Sequence, residues 1–83
     1  GVEDDLFASN FRIYPNPVKD IINIESNNIE VSSVKMYNLL GKEVFSQKGL
    51  QGKSIDVSSL SSGMYILKVD AEGKSLNRKI VVQ

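Results

Sequence analysis

From Phe11 onward, apolar positions in this chain recur mostly with a period of two, in short runs broken by Gly, Asn, Ser or Pro at roughly 8–12-residue intervals. A period of two places alternate side chains on opposite faces of a pleated strand, so each run predicts a strand with one face turned to a core. Phe11 to Tyr14 form the first. In Asp20 to Glu25, Ile22 and Ile24 share one face, with Ile21 and Asn23 on the other. "SVKMYNLL" puts Val34 and Met36 on one face and Tyr37 and Leu39 on the other, which predicts partial cover on both sides. "EVFSQ" follows, then a short run with Ile55 and Val57 inward and Ser54 and Asp56 outward. "MYILKV", residues 64–69, is the most continuous apolar run and reads as a central strand. "SLNRKIVVQ" ends the chain with Leu76, Ile80 and Val82 on one parity.

The breaks are as informative as the runs. Tyr14-Pro15-Asn16-Pro17 cannot be helix or central strand, because each proline fixes φ, gives up its N–H and pushes the residue before it out of the α region. It predicts a stiff joint between the first two strands, lying at a sheet edge. "SNNIEVSS" reads as a connection, with Ile29 and Val31 a short edge segment. Asn38 to Lys42 predict a tight hairpin turn with Gly41 at positive φ. Gly49 to Gly52 read as a loop, "VSSL" as at most one 3₁₀ turn, and Glu72-Gly73-Lys74 as the last reversal. Residues 1–10, acidic at Glu3, Asp4 and Asp5 and without periodicity, read as a flexible linker, leaving 11–83 as the folded unit.

Six or seven short strands and no helix of any length make an all-β antiparallel sandwich. Leu60-Ser61-Ser62-Gly63-Met64-Tyr65 narrows it. This is the spacing of a tyrosine corner, in which a Tyr near the start of a central strand returns its hydroxyl to the backbone of the preceding loop. The corner predicts an immunoglobulin-like, fibronectin-like sandwich.

Composition then removes whole classes of function. With 83 residues there is room for one core. There is no Cys and no His, which excludes thiol and imidazole nucleophiles, histidine general bases, Cys/His zinc sites and disulfides together. Ten basic and ten acidic residues leave a formal net charge of zero, so no overall field steers the molecule onto nucleic acid. Lys68, Lys74, Arg78 and Lys79, against Asp70 and Glu72, read as an edge strand charged against sheet-to-sheet association. Asp20, Glu25, Glu43 and Asp56 are scattered singly on outward faces, unlike a carboxylate pair or a calcium loop. Tyr14, Tyr37 and Tyr65 read as core and rim residues. No run approaches the roughly 20 apolar residues of a membrane span, and the first ten residues lack the pattern of a signal peptide. The sequence thus predicts no catalytic, cofactor or metal site.

From Phe11 to Gln83 the chain resembles the type A C-terminal sorting domain of the bacterial type IX secretion system. The segments that carry the resemblance come in order: "YPNP" at 14–17, "IINIE" at 21–25, "VKMYNLLGKEV" at 34–44, "IDVSSLSSGMYILKV" at 55–69 and "RKIVVQ" at 78–83. The resemblance implies a non-catalytic sandwich at the C-terminus of a secreted cargo protein. It also implies passage through the periplasm, recognition by the outer-membrane translocon and its shuttle protein, and removal by a sortase-like peptidase. The cargo would then be anchored to lipopolysaccharide or released at the cell surface. Carried onto this sequence, the family motifs fall on Tyr14, Pro15, Asn16, Pro17, Gly41, Lys42, Gly63, Tyr65, Lys79 and Val81, with the cut expected in the linker before Phe11. A terminal strand at a sheet edge also suggests capture of Lys74 to Gln83 by strand addition. The alternatives are a fibronectin-like carbohydrate-binding or adhesion module, and a spacer between enzyme domains.

Overall fold

The computed structural model describes residues 6–49 and 54–83. Its seven strands are β1 (Phe11–Tyr14), β2 (Ile21–Ser26), β3 (Val31–Asn38), β4 (Glu43–Lys48), β5 (Ser54–Asp56), β6 (Gly63–Ala71) and β7 (Lys74–Val82). They form two antiparallel sheets, β1-β2-β5 and β4-β3-β6-β7. This is the immunoglobulin-like sandwich arrangement in which the fourth strand joins the sheet of the third. β6 is central, as its continuous apolar run predicted, and β7 lies at an edge, as its Lys and Arg charges predicted.

Parity decides the core. Ile22 and Ile24 of β2 face Val34 and Met36 of β3 and Leu67 and Val69 of β6, all with no exposed surface. Leu76, Ile80 and Val82 close the core from β7. Burying side chains of this size contributes about 1.5–3 kcal/mol each before conformational entropy is subtracted. Among the described residues the only buried side chain with a polar group is Tyr65; no Asp, Glu, Lys or Arg is buried.

The turns follow local rules. Gly41 has φ 84°, and Asn38 organises the β3–β4 turn: its side-chain Oδ1 accepts from the N–H groups of Leu40 and Lys42, both at 3.0 Å. Glu72 and Gly73, at φ 51° and 75°, make the two-residue type I′ turn that suits the twist of the β6–β7 hairpin. Residues 57–60 make one turn, closed by the Leu60 N–H on the Val57 carbonyl at 3.0 Å. Of the loop expected at Gly49 to Gly52, residues 50–52 lie outside the described residues, as do the acidic Glu3, Asp4 and Asp5.

Two expectations change. Val31 opens β3 as one continuous strand, and Ile29 belongs to the loop before it. Within β3, Ser32 is an extra residue opposite β6, and its hydroxyl donates to the Asp70 carbonyl at 2.8 Å. The second change lies at residues 6–10, expected as linker. They form a helical turn at Leu6 to Ala8 and fold back onto the sandwich. Phe7 is only 7% exposed, meets the Phe11 ring edge-to-face at 5.2 Å, and has the Lys74 ammonium 5.9 Å over its ring. An aromatic residue in a short segment without strand alternation has no period to announce it, so only the packed structure shows that it is core.

Candidate functional site

The joint at residues 14–17 belongs by sequence to the first sheet, between β1 and β2, yet its polar group serves the second. The Asn16 side chain lies along the outer edge of β7. Its Nδ2 donates to the Lys79 carbonyl at 3.0 Å and its Oδ1 accepts from the Val81 N–H at 3.0 Å. A carboxamide carries one donor group and one acceptor like a peptide unit, so Asn16 stands in for a paired strand. Val18 continues the pairing: its N–H reaches the Val81 carbonyl at 2.8 Å, and its carbonyl accepts from the Gln83 N–H at 2.8 Å. The peptide bonds preceding Pro15 and Pro17 are both cis. Tyr14 points outward, donates its hydroxyl to the Glu25 carboxylate at 2.6 Å, and has the Arg12 guanidinium 5.1 Å over its ring. The proton held against Glu25 raises the Tyr14 pKa above the usual tyrosine value.

The idea of edge capture along Lys74 to Gln83 is thereby narrowed. In an antiparallel ladder, alternate residues turn both backbone groups away from the partner strand. In β7 these are the odd positions, since Lys79 and Val81 bond outward to Asn16 and Val18. The edge from the Lys79 carbonyl to the terminus is already paired, leaving Ser75 and Asn77 as the outward positions ahead of it.

The tyrosine corner forms as the spacing predicted. Gly63 opens β6, Tyr65 is 7% exposed, and its hydroxyl donates to the Ser61 carbonyl at 2.7 Å. Register then brings several of the ten positions singled out by the resemblance toward one end of the sandwich. Asn38, just before Gly41 and Lys42, pairs with Tyr65; Gly63 pairs with Val82, to which Val18 is bridged; and Lys79 lies opposite Ile66. Most of these residues hold the fold, through the positive φ of Gly41, the corner of Tyr65 and the staple from Asn16 to Lys79 and Val81. The side chains of Lys42 and Lys79 are different. They stand in solvent and make no hydrogen bond or ion pair among the described residues.

Two of the acids are taken up in local bonds. Asp56 caps the turn after β5, where the Ser58 hydroxyl and N–H hold its carboxyl below the usual aspartate range. Asp70 accepts from the hydroxyls of Ser75 and Ser33, which lower its pKa likewise and tie β3, β6 and β7 together.

Comparison with known proteins gives three informative relatives. The chain is 40% identical over 72 residues to beta-agarase D of Zobellia galactanivorans, covering 86% of this chain and 14% of the relative. It is 38% identical over 74 residues to an ulvan lyase of Nonlabens ulvanivorans, 84% of this chain and 14% of the relative. It is 26% identical over 85 residues to an endo-acting ulvan lyase of Formosa agariphila, 98% of this chain and 16% of the relative. The chain thus spans about a seventh of the length of the relatives it matches. The family model for the secretion system C-terminal sorting domain matches residues 12–83, from the second residue of β1 to the terminus. Joined to the stapled edge and the tyrosine corner, a match of that extent makes the chain a member of the type IX C-terminal sorting domains.

Proposed function

We propose that this domain is the secretion signal of a cargo protein, read in its folded state by the outer-membrane type IX translocon and its shuttle protein after passage through the periplasm. A sortase-like peptidase then removes it at the cell surface. The observation that carries this reading is the family match across residues 12–83. The geometry supports it, because motif residues far apart in the chain converge on one end of a rigid sandwich, where a receptor would read them as a shape. The domain delivers and does not catalyse. The activities in the relatives' names point to a cargo that degrades polysaccharide.

The expected cut before Phe11 meets a folded segment. A peptidase acting between residues 6 and 10 has first to lift Phe7 off the core, because proteolysis needs an extended, accessible backbone.

The test is a fusion of residues 1–83 to the C-terminus of a periplasmic fluorescent protein, in a host with the type IX system and in its translocon-null derivative. Fluorescence outside the cell only in the first strain, with the domain trimmed away, is the expected result. Periplasmic retention of a folded fusion in both strains refutes the reading.

A further inference from the structure

The two faces of the four-stranded sheet differ, and the outer one is unlike the rest of the surface. Register lines up its outward side chains in rows. Glu43, Tyr37, Ile66 and Lys79 form one row, and Ser46, Lys35, Lys68 and Asn77 the row beside it. On the other side Met64 pairs with Val81, and continuing the β3–β6 register sets Leu39 opposite Met64. An apolar stripe of Tyr37, Ile66, Met64 and Val81 therefore runs across the sheet and leads to the Leu39–Leu40 tip. Met64 is 37% exposed, Leu39 68% and Leu40 93%. The tip is held in place by the bonds of the Asn38 side chain to Leu40 and Lys42. Two leucines kept in water by a rigid turn contribute nothing to the core, and they are pre-organised for an apolar pocket.

Charge borders the stripe. Lys35, Lys48, Lys68 and Lys79 lie on this face and Lys42 at the tip, against Glu43 and Asp70. Asp70 is engaged by Ser33 and Ser75, and Glu43 lies 3.9 Å from Lys35. A molecule of zero net charge thus concentrates positive charge around its most apolar exposed area.

Taking the sorting reading as its basis, we infer that this outer face, with the Leu39–Leu40 tip, is the surface by which the export machinery's receptor binds the domain. The partner is a protein surface with an apolar centre and a carboxylate-bearing rim. A second copy of this chain does not fit, because a two-fold contact sets the same lysines against one another. An anionic bilayer fits less well, because Glu43 and Asp70 stand within the face and a uniformly negative surface repels them. A protein rim places its charges individually and so accommodates both signs.

The test uses the fluorescent fusion in the secreting host, with the double variants Lys68→Glu/Lys79→Glu and Leu39→Ser/Leu40→Ser. All four side chains project from the sheet or the turn, and the Lys79 carbonyl that binds Asn16 is unchanged, so thermal unfolding of the purified domains is expected to match wild type. As a control, Lys19→Glu reverses a charge away from this face. Export is expected to fall about tenfold or more for either face variant, and to stay at the wild-type level for the control. Wild-type export of both folded face variants overturns the inference and leaves the sorting reading intact. Failure of the wild-type fusion itself to leave the cell refutes the sorting reading instead. Co-sedimentation of the purified domain with phosphatidylglycerol vesicles, lost in Lys68→Glu/Lys79→Glu, also overturns it by making the occupant a lipid surface.

Discussion

Replacing Asn16 by Ala removes both bonds that the joint makes to β7, from Nδ2 to the Lys79 carbonyl and from the Val81 N–H to Oδ1, each 3.0 Å long. The net value of such a bond is about 1 kcal/mol, since water replaces the lost partner where the group is accessible. Both bonds lie at the surface, so the expected loss is about 1–2 kcal/mol, near the low end for two bonds. For a domain of this size each kcal/mol lowers Tm by about 4–8 °C, which makes the expected shift about 5–15 °C.

Asn16→Asp sharpens the test. It keeps an acceptor for the Val81 N–H but turns a carboxylate oxygen toward the Lys79 carbonyl, where lone pairs repel. At neutral pH it is therefore expected to be less stable than Asn16→Ala. Protonation restores a donor, so the introduced carboxyl has a higher pKa folded than unfolded. Its favourable contribution is complete below the unfolded pKa and is lost as pH rises through the folded one. Urea unfolding followed by far-UV circular dichroism, at neutral pH and at about pH 4, measures both effects. An unchanged midpoint and slope for Asn16→Ala refutes the staple. An Asn16→Asp deficit that does not shrink in acid refutes the donor assignment.

Tyr65→Phe deletes the corner bond to the Ser61 carbonyl while keeping the buried ring, and is expected to cost about 1–2 kcal/mol in the same urea assay. Asp70 is held below the ordinary aspartate pKa by Ser75 and Ser33, so its contribution is present above the unfolded value of about 3.9 and fades as pH falls through the lower folded one. Asp70→Asn should therefore lower stability at neutral pH and flatten the acid limb of a Tm-against-pH curve; an unchanged limb counts against that role.

The sequence by itself determined what is local. Strand parity was legible at Ile22 and Ile24 and at Leu76, Ile80 and Val82, because alternation across the pleat needs no knowledge of the partner strand. The positive φ at Gly41 and the hydroxyl bond of Tyr65 were legible because turns and corners involve residues a few positions apart. The ordered segments from "YPNP" to "RKIVVQ" carried the family, since their order is itself a property of the sequence.

Tertiary structure alone decided what joins distant segments. Asn16 and Val81 are 65 positions apart, and nothing within "YPNP" states that its carboxamide will close the edge of the last strand. Phe7, in a segment without periodicity, became core only because the chain folds back onto Phe11 and Lys74. The row of Glu43, Tyr37, Ile66 and Lys79 comes from four strands whose mutual register no one strand encodes. A strand fixes which of its side chains share a face; hydrogen bonding between strands fixes which neighbours they meet, and a surface for a partner is made of those neighbours.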